Sequence, residues 1–82
     1  MVVYQRIRGV HDRIIRRIQS LIERGQRAGA FRTDLPKHWL MTTAVSLMHS
    51  AAQDVAAGRV KADQAPGLVT ATLLAAFTPP RS

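Results

Sequence analysis

Cysteine is absent from these 82 residues, so neither a disulfide nor a thiolate metal site can staple the fold. Carboxylates are scarce. Asp12, Glu23, Asp34, Asp54 and Asp63 are scattered along the chain, and no two are spaced for general acid–base work. Ser46 and His49 lie one helical turn apart but lack an acid to orient the histidine. His38 and His49 are about 16 Å apart along a helix, too far to share a metal. No glycine-rich phosphate loop is present. These absences argue against an enzyme, and nothing in the chain calls for a cofactor. The four aromatic residues, Tyr4, Phe31, Trp39 and Phe77, are too dispersed to form a base-stacking platform. The run from Ala65 to Pro79 carries no charge but falls short of the roughly 20 residues needed to span a bilayer. The charged N-terminus has no apolar core of secretory type. With the missing cysteine, this leads us to expect a cytoplasmic protein without membrane association.

What the chain does have is arginine, unevenly distributed. Residues 1–32 hold eight arginines against Asp12 and Glu23, and the other fifty residues carry most of the neutral apolar text. The first helix is expected at about residues 3–28. At 100° per residue Val3, Tyr4, Ile7, Val10, Ile14, Ile15, Ile18, Leu21, Ile22 and Ala28 fall within an arc of roughly 140°. Arg6, Arg13, Arg16, Arg17, Arg24 and Arg27 occupy the other side. His11 projects with the apolar stripe, as a core histidine satisfied by a neighbour, a polar anchor for a ligand or a pH-sensitive contact. The arginine face reads as solvated surface, a protein-docking surface, or a patch for nucleic acid or an anionic membrane.

The second helix is expected at about 36–57, and Gly58 is placed to stop it. Leu40, Ala44, Leu47, Ala51 and Val55 form one apolar row, with Met41, Val45, Met48 and Ala52 beside it. The third helix, about 62–77, carries no charge in its body, and Pro66 fits only its first turn. Residues 78–82 are tail. A single 82-residue domain buries little of its surface, and this helical pair presents more apolar area than one stripe can cover. A two-fold partner resolves the excess. The expected fold is therefore all-α, the last two helices forming a four-helix bundle with the same pair of a second copy. Leu40, Ala44, Leu47, Ala51, Val55, Leu68, Val69, Thr72, Ala75 and Ala76 are the expected homodimer interface.

Between the two kinds of helix lies a corner. Gly25 and Gly29 are suited to end or loosen the first helix, and Pro36 suits the first turn of the next. Leu35, ahead of that proline, is pushed out of the helical region, and Asp34 or Thr33 can cap the free N–H groups. The text Leu21-Ile22-Glu23-Arg24-Gly25-Gln26-Arg27-Ala28-Gly29-Ala30-Phe31-Arg32-Thr33-Asp34-Leu35-Pro36 carries a family resemblance. Followed by Trp39-Leu40 and two apolar helices, it resembles the C-terminal regulatory domain of TetR-type transcriptional regulators. Such regulators dimerise through their last two helices, bind a small effector in the C-terminal domain and read operator DNA with an N-terminal helix-turn-helix. The resemblance spans about residues 10–77. It implies the dimerisation and partial effector-binding portion of such a regulator, with His11, Trp39 and Met48 as effector-facing candidates. No recognition helix is found in residues 1–82, so DNA would be read only through a missing N-terminal domain. The rival expectation is a small basic helical protein that binds nucleic acid or an anionic membrane through its arginine face.

Overall fold

A computed structural model describes residues 2–81, with side-chain surroundings for Gly9 and residues 11–81. Three helices follow one another, α1 (Val2–Arg27), α2 (Lys37–Ala56) and α3 (Ala65–Phe77), and no strand occurs among the described residues. The all-helical expectation holds, and the ends of α1 and α2 fall within a residue of those expected. The third helix starts later than expected, at Ala65, because Lys61–Gln64 form a turn and Pro66 takes the second helical position.

The two inter-helix corners use one device. Gly29 follows α1 with φ 79°, and its N–H donates to the Gln26 carbonyl at 3.2 Å while Ala30 N–H donates to Gly25 at 2.9 Å. Gly58 follows α2 with φ 78°; its N–H reaches the Val55 carbonyl at 3.1 Å, and Arg59 N–H reaches that of Asp54 at 2.9 Å. Both are Schellman caps, in which a left-handed residue turns the chain back on the last orphan carbonyls. Glycine takes that conformation without the Cβ clash, so these two positions terminate their helices.

Gly25 behaves differently. It lies inside α1, where the Phe31 ring covers its Cα so closely that a Cβ would overlap the ring. Gly25 permits a close approach and ends nothing, a correction to the role expected from sequence. Pro36 is likewise the N-cap residue of α2 rather than its first helical residue, with φ −66° and ψ 149°. Neither Thr33 nor Asp34 caps α2, because the Asp34 carboxylate is engaged by Arg32.

The helices stack in sequence order, α1 on α2 and α2 on α3, and among the described residues no Cα of α1 comes within 8 Å of one in α3. The buried core is small: Ile22 from α1, Leu40 and Ala44 from α2, and Phe77 from α3. Ile18, Phe31, Leu35, Met41 and Leu73 pack around it. The resulting body measures 47 × 30 × 17 Å with a radius of gyration of 14.5 Å. A compact chain of this length would have a radius near 12 Å. Its surface of 6484 Å² also exceeds the roughly 4,900 Å² expected for a folded monomer of this mass. The fold is open because one helix, α2, serves as the floor for two others whose backbones stay apart and which share the core only through side chains such as Ile22 and Phe77.

Candidate functional site: two apolar grooves and a basic ridge

The corner between α1 and α2 sets the positions of all three helices. The Gln26 side-chain amide donates to the Arg32 carbonyl at 3.0 Å and to the Leu35 carbonyl at 3.4 Å, holding the loop against the end of α1. Phe31 meets Phe77 edge-to-face, ring centroids 5.5 Å apart. Arg32 then joins the loop to the end of α3: its N–H donates to the Phe77 carbonyl at 2.8 Å and its guanidinium to Ala76 at 3.3 Å. Those carbonyls are the orphan acceptors of a helix C-terminus, where a cation is favoured. The same guanidinium grips Asp34 with two bonds of 2.7 Å. The fork holds the Asp34 carboxyl below the ordinary carboxylate range and raises Arg32. A further latch, Lys37 to Glu23 at 2.8 Å, ties α2 to α1, and Lys37 depresses the Glu23 carboxyl mainly through that hydrogen bond.

Two apolar grooves flank the α2–α3 contact. The front groove is the trough between α1 and α3, about 200 Å³ in volume. Ala44 and Met48 form its floor, Ile18, Leu21 and Ile22 one wall, Thr70, Leu73 and Leu74 the other, with Phe31 and Phe77 also lining it. Leu21 and Leu74 stand more than half exposed on opposite lips. The trough continues past Met48 and Thr70 into a shallower hollow that reaches Ala52, Val55 and Pro66. The back groove, about 130 Å³, lies on the other side of α3 and is lined by Leu47, Ser50, Asp54, Val60, Leu68 and Thr72 among others. Its polar groups are largely satisfied: Thr72 Oγ1 donates to the Leu68 carbonyl at 2.8 Å, and Asp54 accepts from Arg59 at 3.0 Å. The third surface is a basic ridge. Arg13, Arg16, Arg17 and Arg24 surround Ser20 and Leu21 along α1, and none has a carboxylate partner among the described residues.

The ten residues expected at a homodimer interface are distributed unequally. Leu40 and Ala44 are buried in the core of a single chain and have no surface to offer a partner, so they leave that set. Their row faces the other helices, since the small core draws on the same side of α2 that meets α3. Ala51 and Val69 line both grooves, which places them on the α2–α3 seam, and Val55 lies in the front hollow. Leu47, Leu68 and Thr72 line the back groove, and Ala75 and Ala76 are exposed on α3.

The three effector-facing candidates are not brought together. Met48 alone lines the trough. Trp39 and Met48 are nine residues apart on α2, which puts them on opposite faces, and Trp39 is more than half exposed. His11 is also exposed, its ring stacked on His49 of α2 with centroids 6.4 Å apart and planes 20° from parallel. Thus His11 is a contact between α1 and α2, and a buried-core role is corrected. Sequence reasoning overlooked Phe31, Leu73 and Phe77 as trough residues, because periodicity reports which side of a helix is apolar but not which neighbour fails to reach it.

Among the described residues no group of three or more metal-ligating side chains occurs, and no helix is long and apolar enough to cross a membrane. Comparisons of the chain with family models, with curated proteins and with solved structures return no match.

Proposed function

We propose that this chain is the dimerisation and partial effector-binding portion of a TetR-like transcriptional regulator, with operator reading assigned to a helix-turn-helix outside these residues. The observation that carries the reading is the back face of α2 and α3, where half-buried Leu47 adjoins exposed Leu68, Thr72, Ala75 and Ala76 and the polar groups Thr72 and Asp54 already have partners. Such a face loses little on desolvation and suits the isologous packing of two helical pairs. The corner motif adds support, since Gly25, Gln26, Gly29, Phe31, Arg32, Asp34 and Leu35 each have a defined role in docking α1 to the helical pair. The trough supplies one apolar wall for an effector, with Met48 at its floor. Sedimentation velocity at micromolar concentration tests the dimer, and a stable, fully helical monomer overturns it. Ala75→Glu provides the site-specific check. Ala75 is exposed in the single chain, so the variant keeps its helicity while an unpaired carboxylate in the dry interface splits the dimer.

The basic ridge favours a second reading, a small helical protein that binds nucleic acid or an anionic membrane through Arg13, Arg16, Arg17 and Arg24. A shift of nonspecific duplex DNA whose affinity falls steeply with salt would favour the nucleic-acid form of that reading over the first.

A further inference from the structure

We infer that the trough between α1 and α3 receives an acidic amphipathic helix from a partner protein, its apolar side seated on Met48, Leu21 and Leu74 and its acidic edge paired with Arg13, Arg17 and Arg24. This surface lies apart from the back face used in the dimer proposal, so the dimer and this inference stand or fall separately; the helix would occupy the wall that the proposed function offers to an effector.

The shape argues for a helix. From Phe77 to Pro66 the trough and its continuation follow α3 for eleven residues, about 16 Å, the length of three helical turns. Beside Ile18, Leu21 and Ile22 the cavity is walled by α1 and α3, and past Met48 it opens onto a hollow bounded by α2 and α3, a shape that receives an amphipathic helix lengthwise. A flat bilayer would touch the lips at Leu21 and Leu74 but leave the floor at Ala44 and Met48 uncovered.

Charge argues for acid. Leu21 belongs to both the trough and the basic ridge, so the ridge begins where the apolar wall ends. On α1 the residues Arg13, Arg17 and Arg24 fall within about 40° of one another, immediately beside the exposed line Ile14–Leu21. The opposite lip, on α3, carries no charge between Ala65 and Pro79. An occupant with acids along one edge is matched on the α1 side and meets only apolar groups on the α3 side, which also fixes its orientation.

A second copy of this chain fits the trough poorly. Glu23, Asp34 and Asp54 are each taken by an ion pair, and no helix of the chain carries a row of carboxylates. Inserting another α1 would set arginine against arginine. Self-association therefore belongs to the neutral back face, and the basic-lipped trough to a different molecule.

The test uses the full chain and a fluorescein-labelled model peptide of about 20 residues, long enough to support a helix. The peptide has leucines at i, i+3, i+4 and i+7 and glutamates along one flank; a matched peptide has lysine in place of each glutamate. Fluorescence anisotropy should show saturable binding of the glutamate peptide, with the lysine peptide weaker by about tenfold or more. Leu74→Gln in the trough and Arg17→Glu/Arg24→Glu on the ridge should each weaken the glutamate peptide, and the double reversal should restore the lysine peptide. Circular dichroism checks that both variants remain helical; Leu74, Arg17 and Arg24 are exposed, so they do not hold the core. Ala75→Glu should leave peptide binding unchanged, which separates failure of the dimer from failure of this inference. Equal binding of the two peptides, or no binding of either, overturns the proposal. So does preferential capture of anionic vesicles or duplex DNA that is insensitive to Leu74→Gln.

Discussion

Gly25 provides a sharp test of how the corner is built, because Gly9 on the same helix is its internal control. Replacing either glycine of α1 by alanine gains about 1 kcal/mol of helix propensity. At Gly9 nothing lies within 4 Å of the new methyl group, so Gly9→Ala should stabilise the chain by about that amount. At Gly25 the methyl group overlaps the Phe31 ring. The ring cannot swing away cheaply, since it rests edge-on against Phe77, and the Phe31 N–H is bonded to the Gly25 carbonyl at 3.0 Å. Overpacking of this kind costs about 1–3 kcal/mol, which cancels or exceeds the gain. The two variants should therefore differ by about 1–3 kcal/mol in urea unfolding, with each kilocalorie worth roughly 4–8 °C in Tm for a domain this size. Phe31→Leu should lose about 0.5–1.5 kcal/mol of aromatic contact by itself. In the Gly25→Ala background it should cost less, because the smaller side chain relieves the overlap, and a double-mutant cycle isolates that coupling. If Gly9→Ala and Gly25→Ala prove equally stabilising, Phe31 does not pack over Gly25 and the account of the corner is wrong.

Two further expectations follow from the same joint. Gln26→Ala removes the amide that bridges the Arg32 and Leu35 carbonyls, and should cost about 1–2 kcal/mol in denaturant unfolding while leaving the helix content of α1 intact. Glu23 is held below its ordinary pKa by Lys37, so its contribution is present above the unfolded-state value and is lost as pH falls through the folded one. Stability should drop across the acid range, and Glu23→Gln should flatten part of that slope; an unchanged slope would show that the Lys37 latch is not formed in solution.

The helix count and two of the three helix extents could be read from the sequence because they rest on local chemistry. Gly29 and Gly58 stop helices through their own backbone freedom, and Pro36 and Pro66 restrict where helices begin. These effects need no neighbour. The stripe on α1 and the uncharged body of α3 are equally local, and from them follow an all-helical chain and an excess of apolar surface. The corner was visible as an unusual string, but its wiring was not. That Gly25 makes room for Phe31, and that Asp34 serves Arg32 instead of capping α2, depends on the end of α3 lying forty-odd residues away in the chain.

The candidate surfaces divide in the same way. Periodicity places Leu40, Ala44 and Leu47 on one apolar side of α2, yet only packing shows that the first two are core and the third lines a groove. Sequence likewise marks His11, Trp39 and Met48 as conspicuous, and only the fold separates them, one against His49, one into solvent, one into the trough. By itself, then, the sequence determined three helices, five of their six ends and their surplus of apolar area, because helix propensity, capping and amphipathicity act within a few residues. The tertiary structure alone decided that α1 and α3 both lean on α2 with their backbones apart, since that depends on how few side chains can fill the space between them. It is this arrangement that leaves a basic-lipped trough on one side and a neutral groove on the other.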